Sequence, residues 1–280
     1  MECREAYFFP NKAPDVMELE HRLRCIAQDL AEAERFALYE VLTAAHPDLP
    51  TTRFEPEQGF VRVVQAGGEI FFPRPLPLIK FAHVSCGYEE WLARKYELPG
   101  FVSVDESDVV VDCGAYVGGF SISAARKAAA VHLFEPAPEN FACSSRNIAH
   151  VENVIINQMG LYFRTESIKL NLSSSSVEHS IILPDNGEIV ASIDVPVIRL
   201  DDYCRQSGID RIDFLKIEAE GVELEVFEGL GDIPVKKFAI DVSEERNGES
   251  PAQEFWLLLR ARGYEVRQRG HVLFARLASE

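Results

Sequence analysis

The chain has 280 residues, of which 47% are hydrophobic and 26% charged. These are ordinary globular proportions that argue against disorder and against a membrane-embedded protein, and they leave room for one large α/β domain plus an appendage. A formal net charge of -17 argues against a nucleic acid substrate, which demands clustered Lys and Arg, and against anionic membrane surfaces.

Six cysteines are spread through the chain with no C-x-x-C pair, which points to neither a zinc ribbon nor a disulfide frame but to reduced thiols in a cytoplasm. The first residues carry no apolar signal-like run, and no segment approaches the ~20 apolar residues that span a bilayer.

From Val16, apolar or small residues recur at Leu19, Leu23, Ile26, Leu30, Ala33 and Ala37, a helical stripe. Such a stripe either packs on the chain's own body or forms half of a coiled-coil seam in a homodimer. Pro47 to Pro56 reads as a linker. Phe60–Val64 and Glu69–Phe72 flank Gly67 and Gly68 as a β-hairpin stopped by Pro73, Pro75 and Pro77, with a helical stretch at Tyr88–Tyr96. Residues 1–55 are thus expected to form a helical extension, 56–107 a hairpin and helical lead-in, and 108–280 the main domain.

Beyond Val109 short β-branched runs at Val109–Val111, Val131–Phe134, Val154–Ile156, Phe214–Ile217 and Phe238–Ile240 alternate with helical segments at Gly119–Ala130, Pro138–His150, Leu200–Ser207, Gly221–Gly229 and Pro251–Gly263. The alternation predicts an α/β fold, Rossmann-like and doubly wound around a mostly parallel seven-stranded sheet. Tyr264–Gln268 and Val272–Leu277 leave no room for a crossover helix, so the sheet closes with an antiparallel C-terminal hairpin. Leu161–Val197 is too long for a simple connection and is expected to insert a loop or small hairpin above the strand ends.

The chemistry concentrates at three strand ends. Asp112, Gly114, Ala115, Tyr116, Gly118, Phe120 and Ser121 follow the first strand and open a helix, a nucleotide-binding arrangement. Tyr116 stands where a dinucleotide fingerprint needs glycine, so pyrophosphate is disfavoured, whereas a phosphate-free ligand with a cationic amino-acid tail, S-adenosyl-L-methionine, is accommodated. Asp112 also reads as a helix cap or structural acid. Glu135, ahead of Pro136, ends the second strand about 20 residues beyond the glycine loop, where a carboxylate accepts both ribose hydroxyls. Lys216, Glu218, Glu220 and Glu223 end the fourth strand; Glu218 and Glu220 are candidate proton acceptors and Lys216 a group that orients them or steadies an oxyanion. Plainer roles stay open: a salt bridge for Lys216 and a favourable helix dipole for Glu223. His83 and His179 read first as satisfied or surface histidines.

The string from Asp108 to Ser121, the triplet Phe134, Glu135, Pro136, then Asn140, Asn147 with Ile148, the Val195–Tyr203 approach and Asp213–Gly229 resemble successive blocks of the FkbM methyltransferases, over roughly Tyr88 to Asp241. The resemblance implies methyl transfer from S-adenosyl-L-methionine, mostly to oxygen, onto a small-molecule acceptor such as a sugar or a tailored natural product. It implies cofactor contacts by Glu89, Asp112, Gly114, Ala115, Tyr116, Gly118, Phe120, Ser121, Glu135, Pro136, Asn140, Gln158 and Met159, with Tyr88 and Glu89 closing over the cofactor. The family usually carries Asp where this chain has Glu218, commonly Asn where it has Tyr116, and often Glu where it has Asp241, which puts the geometry of the catalytic acid in question. No metal is expected, although Glu218, Glu220 and Asp241 form a conceivable divalent-ion set. The rival readings are an NAD-dependent reductase and a non-catalytic module that keeps the fold for assembly.

Overall fold

The computed structural model describes residues 27–46, 48–176, 179–182, 188–246 and 248–278. The chain divides between Lys95 and Tyr96 into two compact units.

In the N-terminal unit, α1 (Glu32–Ala45) starts at Ala31, whose N–H donates to Glu34 Oε2 at 2.8 Å. Three antiparallel strands follow, β1 (Arg53–Pro56), β2 (Phe60–Gln65) and β3 (Gly68–Pro73). Then come α2 (Leu78–Ser85) and α3 (Tyr88–Tyr96), the latter ending at the division. The aromatic rings explain the packing: Phe36 of α1 stacks on Phe54 of β1 at 5.1 Å, and Phe81 of α2 lies 5.2 Å from Phe54 and 5.0 Å from Tyr39.

Two expectations are corrected here. The Pro47–Pro56 stretch is not wholly linker, because β1 pairs with β2, Phe54 facing Val63, and buries Phe54 beneath α1. The apolar stripe is broken at residues 28–31. Of its members, Val16, Leu19, Leu23 and Ile26 lie outside the described residues, while Ala33 and Ala37 are exposed; the helix instead buries Phe36, Tyr39 and Thr43. Large aromatics win the buried face over alanine because they remove more apolar area from water.

The second unit is built on a seven-stranded sheet in the order β12-β13-β11-β10-β4-β5-β6, with β4 (Val109–Cys113), β5 (Ala130–Phe134), β6 (Val154–Asn157), β10 (Ile212–Ile217), β11 (Val235–Asp241), β12 (Tyr264–Arg269) and β13 (Val272–Leu277). The pairings among β6, β5, β4, β10 and β11 are parallel, and β13 runs antiparallel between β11 and β12. This is the Rossmann-like, mostly parallel sheet with an antiparallel C-terminal hairpin that the alternation predicts. Every residue of the central strand β10 is buried, as a strand covered on both faces requires. Asp213 fastens its start: Oδ2 accepts from the Val109 N–H at 3.1 Å and Oδ1 faces Lys236 Nζ at 2.8 Å.

The helices are α4 (Gly119–Ala125), α5 (Pro138–Asn147), α6 (Leu200–Ser207), α7 (Glu223–Glu228) and α8 (Ala252–Ala261). The first ends sooner than the alanine-rich sequence to Ala130 suggests. The N–H groups of Ala129 and Ala130 donate to the Asp108 carbonyl and Ala130 pairs with Val109, so strand pairing overrides helix propensity. The segment after β6 carries a three-stranded sheet of its own, β7 (Gly160–Leu161), β9 (Ile189–Ile198) and β8 (Glu166–Ser173), in the order β7-β9-β8. Where the Leu161–Val197 length suggests a loop or small hairpin, β8 and β9 pair antiparallel along most of their length.

Core burial on α8 is one-sided. Phe255 is fully buried and meets Phe227 edge-on at 5.4 Å, whereas Leu257 is 63% exposed. Phe255→Ala is therefore expected to lower unfolding free energy by about 3–5 kcal/mol, and Leu257→Ala to change it by no more than about 0.5 kcal/mol. Chemical denaturation of the two variants checks the assignment, and equal losses would contradict it.

Candidate functional site

In an open α/β sheet the strands deliver their last residues to one edge, where ligands bind. Here the central strands β4, β5 and β10 run parallel, so Asp112 with Cys113, Phe134 with Glu135, and Ile217 with Glu218 reach that edge together.

Lys216 is the hub. Its side chain is 2% exposed, and Nζ donates to the Gly114 carbonyl at 2.7 Å and the Cys113 carbonyl at 3.2 Å. Nζ also lies 3.1 Å from Asp112 Oδ1 and 3.2 Å from Glu218 Oε2, with the Tyr96 ring 5.1 Å away on another side. The Asp112 contact is an ion pair without an aligned hydrogen bond at Oδ1; the other oxygen accepts from Ser121 Oγ at 2.7 Å. Burial holds the Tyr96 hydroxyl in its protonated form, with the Glu218, Asp241 and Asp112 charges acting in the same direction. The ammonium's protons are thus shared among groups of the chain itself, which makes Lys216 a fastener between β4 and β10.

The loop after β4 bends back toward β10. Gly114 has φ +71°, and a Cβ there would collide with the Glu218 carbonyl oxygen, so only glycine permits the approach. The N–H groups of Gly114 and Ala115 both donate to the Phe134 carbonyl. Tyr116 adopts φ +53°, a left-handed conformation that is costly for a bulky residue and accessible to Asn. Gly118 stands at the N-cap of α4. The Phe120 ring is not at the edge but in the core, 5.5 Å from Tyr96 and 5.7 Å from Phe214.

Glu135, 5% exposed, accepts from the Tyr116 N–H at 2.9 Å and the Ala137 N–H at 2.8 Å. Burial pushes its carboxyl up to about 7 despite those donors. The Asn140 side chain is a third hydrogen-bond partner, and the carboxylate keeps acceptor capacity for a further donor. Asn140, on the first turn of α5, is 4% exposed; Nδ2 donates to the Ser176 carbonyl at 3.0 Å, while Oδ1 is buried with no hydrogen-bond partner among the described residues. Pro136 is half-buried between them, and Gln158 (exposed) and Met159 (half-buried) follow the end of β6. Glu89 lies in the first turn of α3, within the N-terminal unit.

After β10 the chain turns through Glu220 (φ +50°) and Gly221 (φ +94°). Glu223 shapes that turn, its Oε1 accepting from the Ala219 N–H at 2.8 Å and the Gly221 N–H at 3.1 Å. Sequence reasoning weighed Glu223 as a helix-dipole residue and missed this turn-capping, which the E-x-x-x-x-E spacing alone does not reveal. Burial pushes its carboxyl up to about 7, the backbone donors opposing and Asp241 adding to the rise.

The inserted hairpin supplies residues that the motifs did not mark. Tyr116 Oη and Ser176 Oγ are 3.0 Å apart, and Ser180 Oγ donates to the Glu220 carbonyl at 2.7 Å. His179 Nδ1 accepts from the Ser173 N–H at 3.0 Å, so the ring proton sits on Nε2, which faces Glu139 Oε1 at 2.8 Å. It is a satisfied histidine. His83 belongs to the N-terminal unit and stacks on Trp91 at 3.6 Å. Among the described residues no group of three or more His, Cys, Asp or Glu could hold a metal ion.

A family model described as the methyltransferase FkbM domain matches residues 112–266, more than half of the chain. Methyltransferase sdnD of Sordaria araneosa is 30% identical over 156 residues, covering 44% of this chain and 60% of that protein. Methyltransferase 1 of Beauveria bassiana (strain ARSEF 2860) is 28% identical over 149 residues, covering 45% and 60%. The chain therefore spans about 60% of the length of the curated relatives it matches. Among solved structures, the methyltransferase FkbM from Methylobacillus flagellatus KT aligns with 97% of this chain and 62% of its own at 17% identity and a TM-score of 0.42.

The raised Glu223 carboxyl carries a pH consequence. A folded value of about 7 against an ordinary one near 4.5 means that the folded chain holds a proton that the unfolded chain has lost across that window. Its contribution to stability therefore falls as pH rises from about 4.5 to 7 and is constant above. Glu223→Gln keeps an acceptor for both N–H groups without the charge. Its stability relative to wild type should rise between pH 5 and pH 8 in urea titrations; a pH-independent difference would contradict the burial argument.

Proposed function

Because the chain belongs to the FkbM methyltransferase family, we propose that it transfers a methyl group from S-adenosyl-L-methionine to a hydroxyl of a small molecule, such as a sugar or a tailored natural product. The observation that carries the reading is Glu135: a buried carboxylate with acceptor capacity left at the tip of β5, in contact with Asn140, whose Oδ1 is buried with no hydrogen-bond partner among the described residues. The cofactor presents donors to match, two ribose hydroxyls and an adenine amino group. Gly114 and Ala115 supply the close backbone turn, and Glu218, at the rim above the buried Asp112, an acidic edge for the cationic sulfonium and ammonium groups. Pro136, after β5, and Gln158 and Met159, after β6, complete the proposed set of cofactor contacts.

When bound, the cofactor supplies an electrophilic methyl group. The chain's own task is then to align the acceptor oxygen and take up its proton. Glu218 is the residue assigned to that proton. Its carboxylate is a quarter exposed at the end of β10, and Lys216, a positioning residue, holds it from beneath. Glu220 is the alternative acceptor. The acidic chain and its lack of basic clusters favour a small molecule over nucleic acid. No helix among the described residues is long and apolar enough to cross a membrane, and the free cysteines at 86, 113, 143 and 204 suit a reducing cytoplasm. A homodimer through the N-terminal helix is retained as the assembly to test by light scattering, with deletion of residues before Pro47 expected to yield monomer.

S-adenosylhomocysteine is expected to bind in calorimetry and NADH is not. Ribose hydroxyls need the ionised form of Glu135, so affinity should rise about tenfold per pH unit toward pH 7 and level off above it. Glu135→Gln should bind more weakly, with that dependence gone. Tight NADH binding, or wild-type affinity in Glu135→Gln, would overturn the cofactor assignment.

The acceptor can be found by incubating the protein and labelled cofactor with extracts and identifying the methylated product by mass spectrometry. With that acceptor, Glu218→Gln should lower kcat by about 100-fold or more with little change in S-adenosylhomocysteine affinity, the signature of a lost transition-state interaction. Undiminished turnover would move the proton to Glu220.

A further inference from the structure

Ser176, 6% exposed, is held from two sides by residues of the cofactor loops. Tyr116 Oη meets its hydroxyl at 3.0 Å, and Asn140 Nδ2 donates to its carbonyl at 3.0 Å. Both holders stand next to Glu135. The Tyr116 N–H donates to that carboxylate, and the Asn140 side chain, at the start of α5, also bonds it, while Asn140 Oδ1 is buried with no partner among the described residues.

On the hairpin side, Ser176 directly follows a hydrogen-bonded run: the Ser175 N–H donates to Ser173 Oγ at 3.1 Å, and the Ser173 N–H to His179 Nδ1 at 3.0 Å. Asn171 and Ser180 exchange backbone hydrogen bonds at 2.9 and 3.1 Å, and the Ser180 hydroxyl donates to the Glu220 carbonyl. Described residues of the hairpin therefore touch the cofactor loops at Ser176 and the loop of the candidate proton acceptors at Ser180. The left-handed backbone of Tyr116 is the conformation that aims its ring toward Ser176, and an L residue of this bulk rests there only when its surroundings hold it.

We propose that Tyr116 is a positioning residue for the acceptor side of the site: through Ser176 it couples occupancy of the cofactor edge to the placement of the inserted hairpin, and through Ser180 to the Glu218–Gly221 loop. The proposal rests on the cofactor reading above. Linkage makes the coupling reciprocal, so cofactor should quiet the hairpin and the ordered hairpin should strengthen cofactor binding.

Hydrogen exchange of the full chain, with and without saturating S-adenosylhomocysteine, tests it alongside calorimetry. In the wild type the ligand is expected to slow exchange of the Asn171, Ser173 and Ser180 amides about tenfold or more. Tyr116→Phe and Ser176→Ala should each abolish that slowing and weaken S-adenosylhomocysteine about three- to tenfold, the double variant being no weaker than either single one. Ser176→Thr, which restores a hydroxyl, should regain the slowing. Unchanged protection of the β4 and β5 amides shows that the variants fold; if they lose it, Ser176→Thr against Ser176→Ala decides alone. Slowing that survives in Tyr116→Phe, or losses that add in the double variant, overturn the proposal while leaving the cofactor reading intact. Absence of S-adenosylhomocysteine binding by the wild type overturns the cofactor reading and this proposal with it.

Discussion

A single buried ammonium decides how the strand ends meet. Lys216 Nζ touches carbonyls of the β4 loop and carboxylates from both strands while almost wholly withdrawn from water. A charge so placed is tolerable only when its partners surround it, and removing one partner of such a set typically costs about 3–5 kcal/mol. The partners are therefore fixed as firmly as the ammonium. Asp112 is held between Lys216 and Ser121, the glycine loop is drawn over β10, and Glu218 is kept at the rim. The charged cluster that the sequence offers as catalytic machinery is, in its lower half, the fastening on which the upper half stands.

Much of the main fold was legible because its signals are local. The β-branched runs of β4, β5, β10 and β11 need both faces covered, and the short turn at Arg269–His271 leaves no space for a helix, so sheet class and terminal hairpin followed directly. The elements misread are those fixed by distant partners. Nothing in Thr51–Pro56 looks like a strand until Phe54 is seen beneath Phe36. Ala128–Ala130 reads as helix until Ala130 is seen paired with Val109. Over the described helix the apolar stripe misplaces the buried face at Ala33 and Ala37, because the ring-bearing positions Phe36 and Tyr39, offset from them, take it.

The site divides in the same way. Strand-end acids are visible in sequence because a β-run followed by Gly or Pro marks where a strand stops. What each acid does is not visible. Glu223 spends its acceptor capacity on a turn of its own chain, and Phe120 sits in the core despite its place in the motif. The left-handed residues Tyr116 and Glu220 stand at the two loops that would face the reacting groups. Conformational strain at such positions is stored where the surrounding contacts are numerous enough to hold it, which spacing alone does not disclose.

The place of β13 has a consequence for how the molecule is made. It lies between β11 and β12, antiparallel to both, although it follows both in the chain. Val272, Leu273 and Phe274 are fully buried there. During synthesis β11 therefore emerges with an unpaired apolar edge, and no earlier strand can cover it. Until residues 272–277 clear the ribosome, that edge is open to pairing with foreign strands. An unfinished chain thus exposes β11 to non-native pairing, and the hairpin of β12 and β13 is what closes that edge.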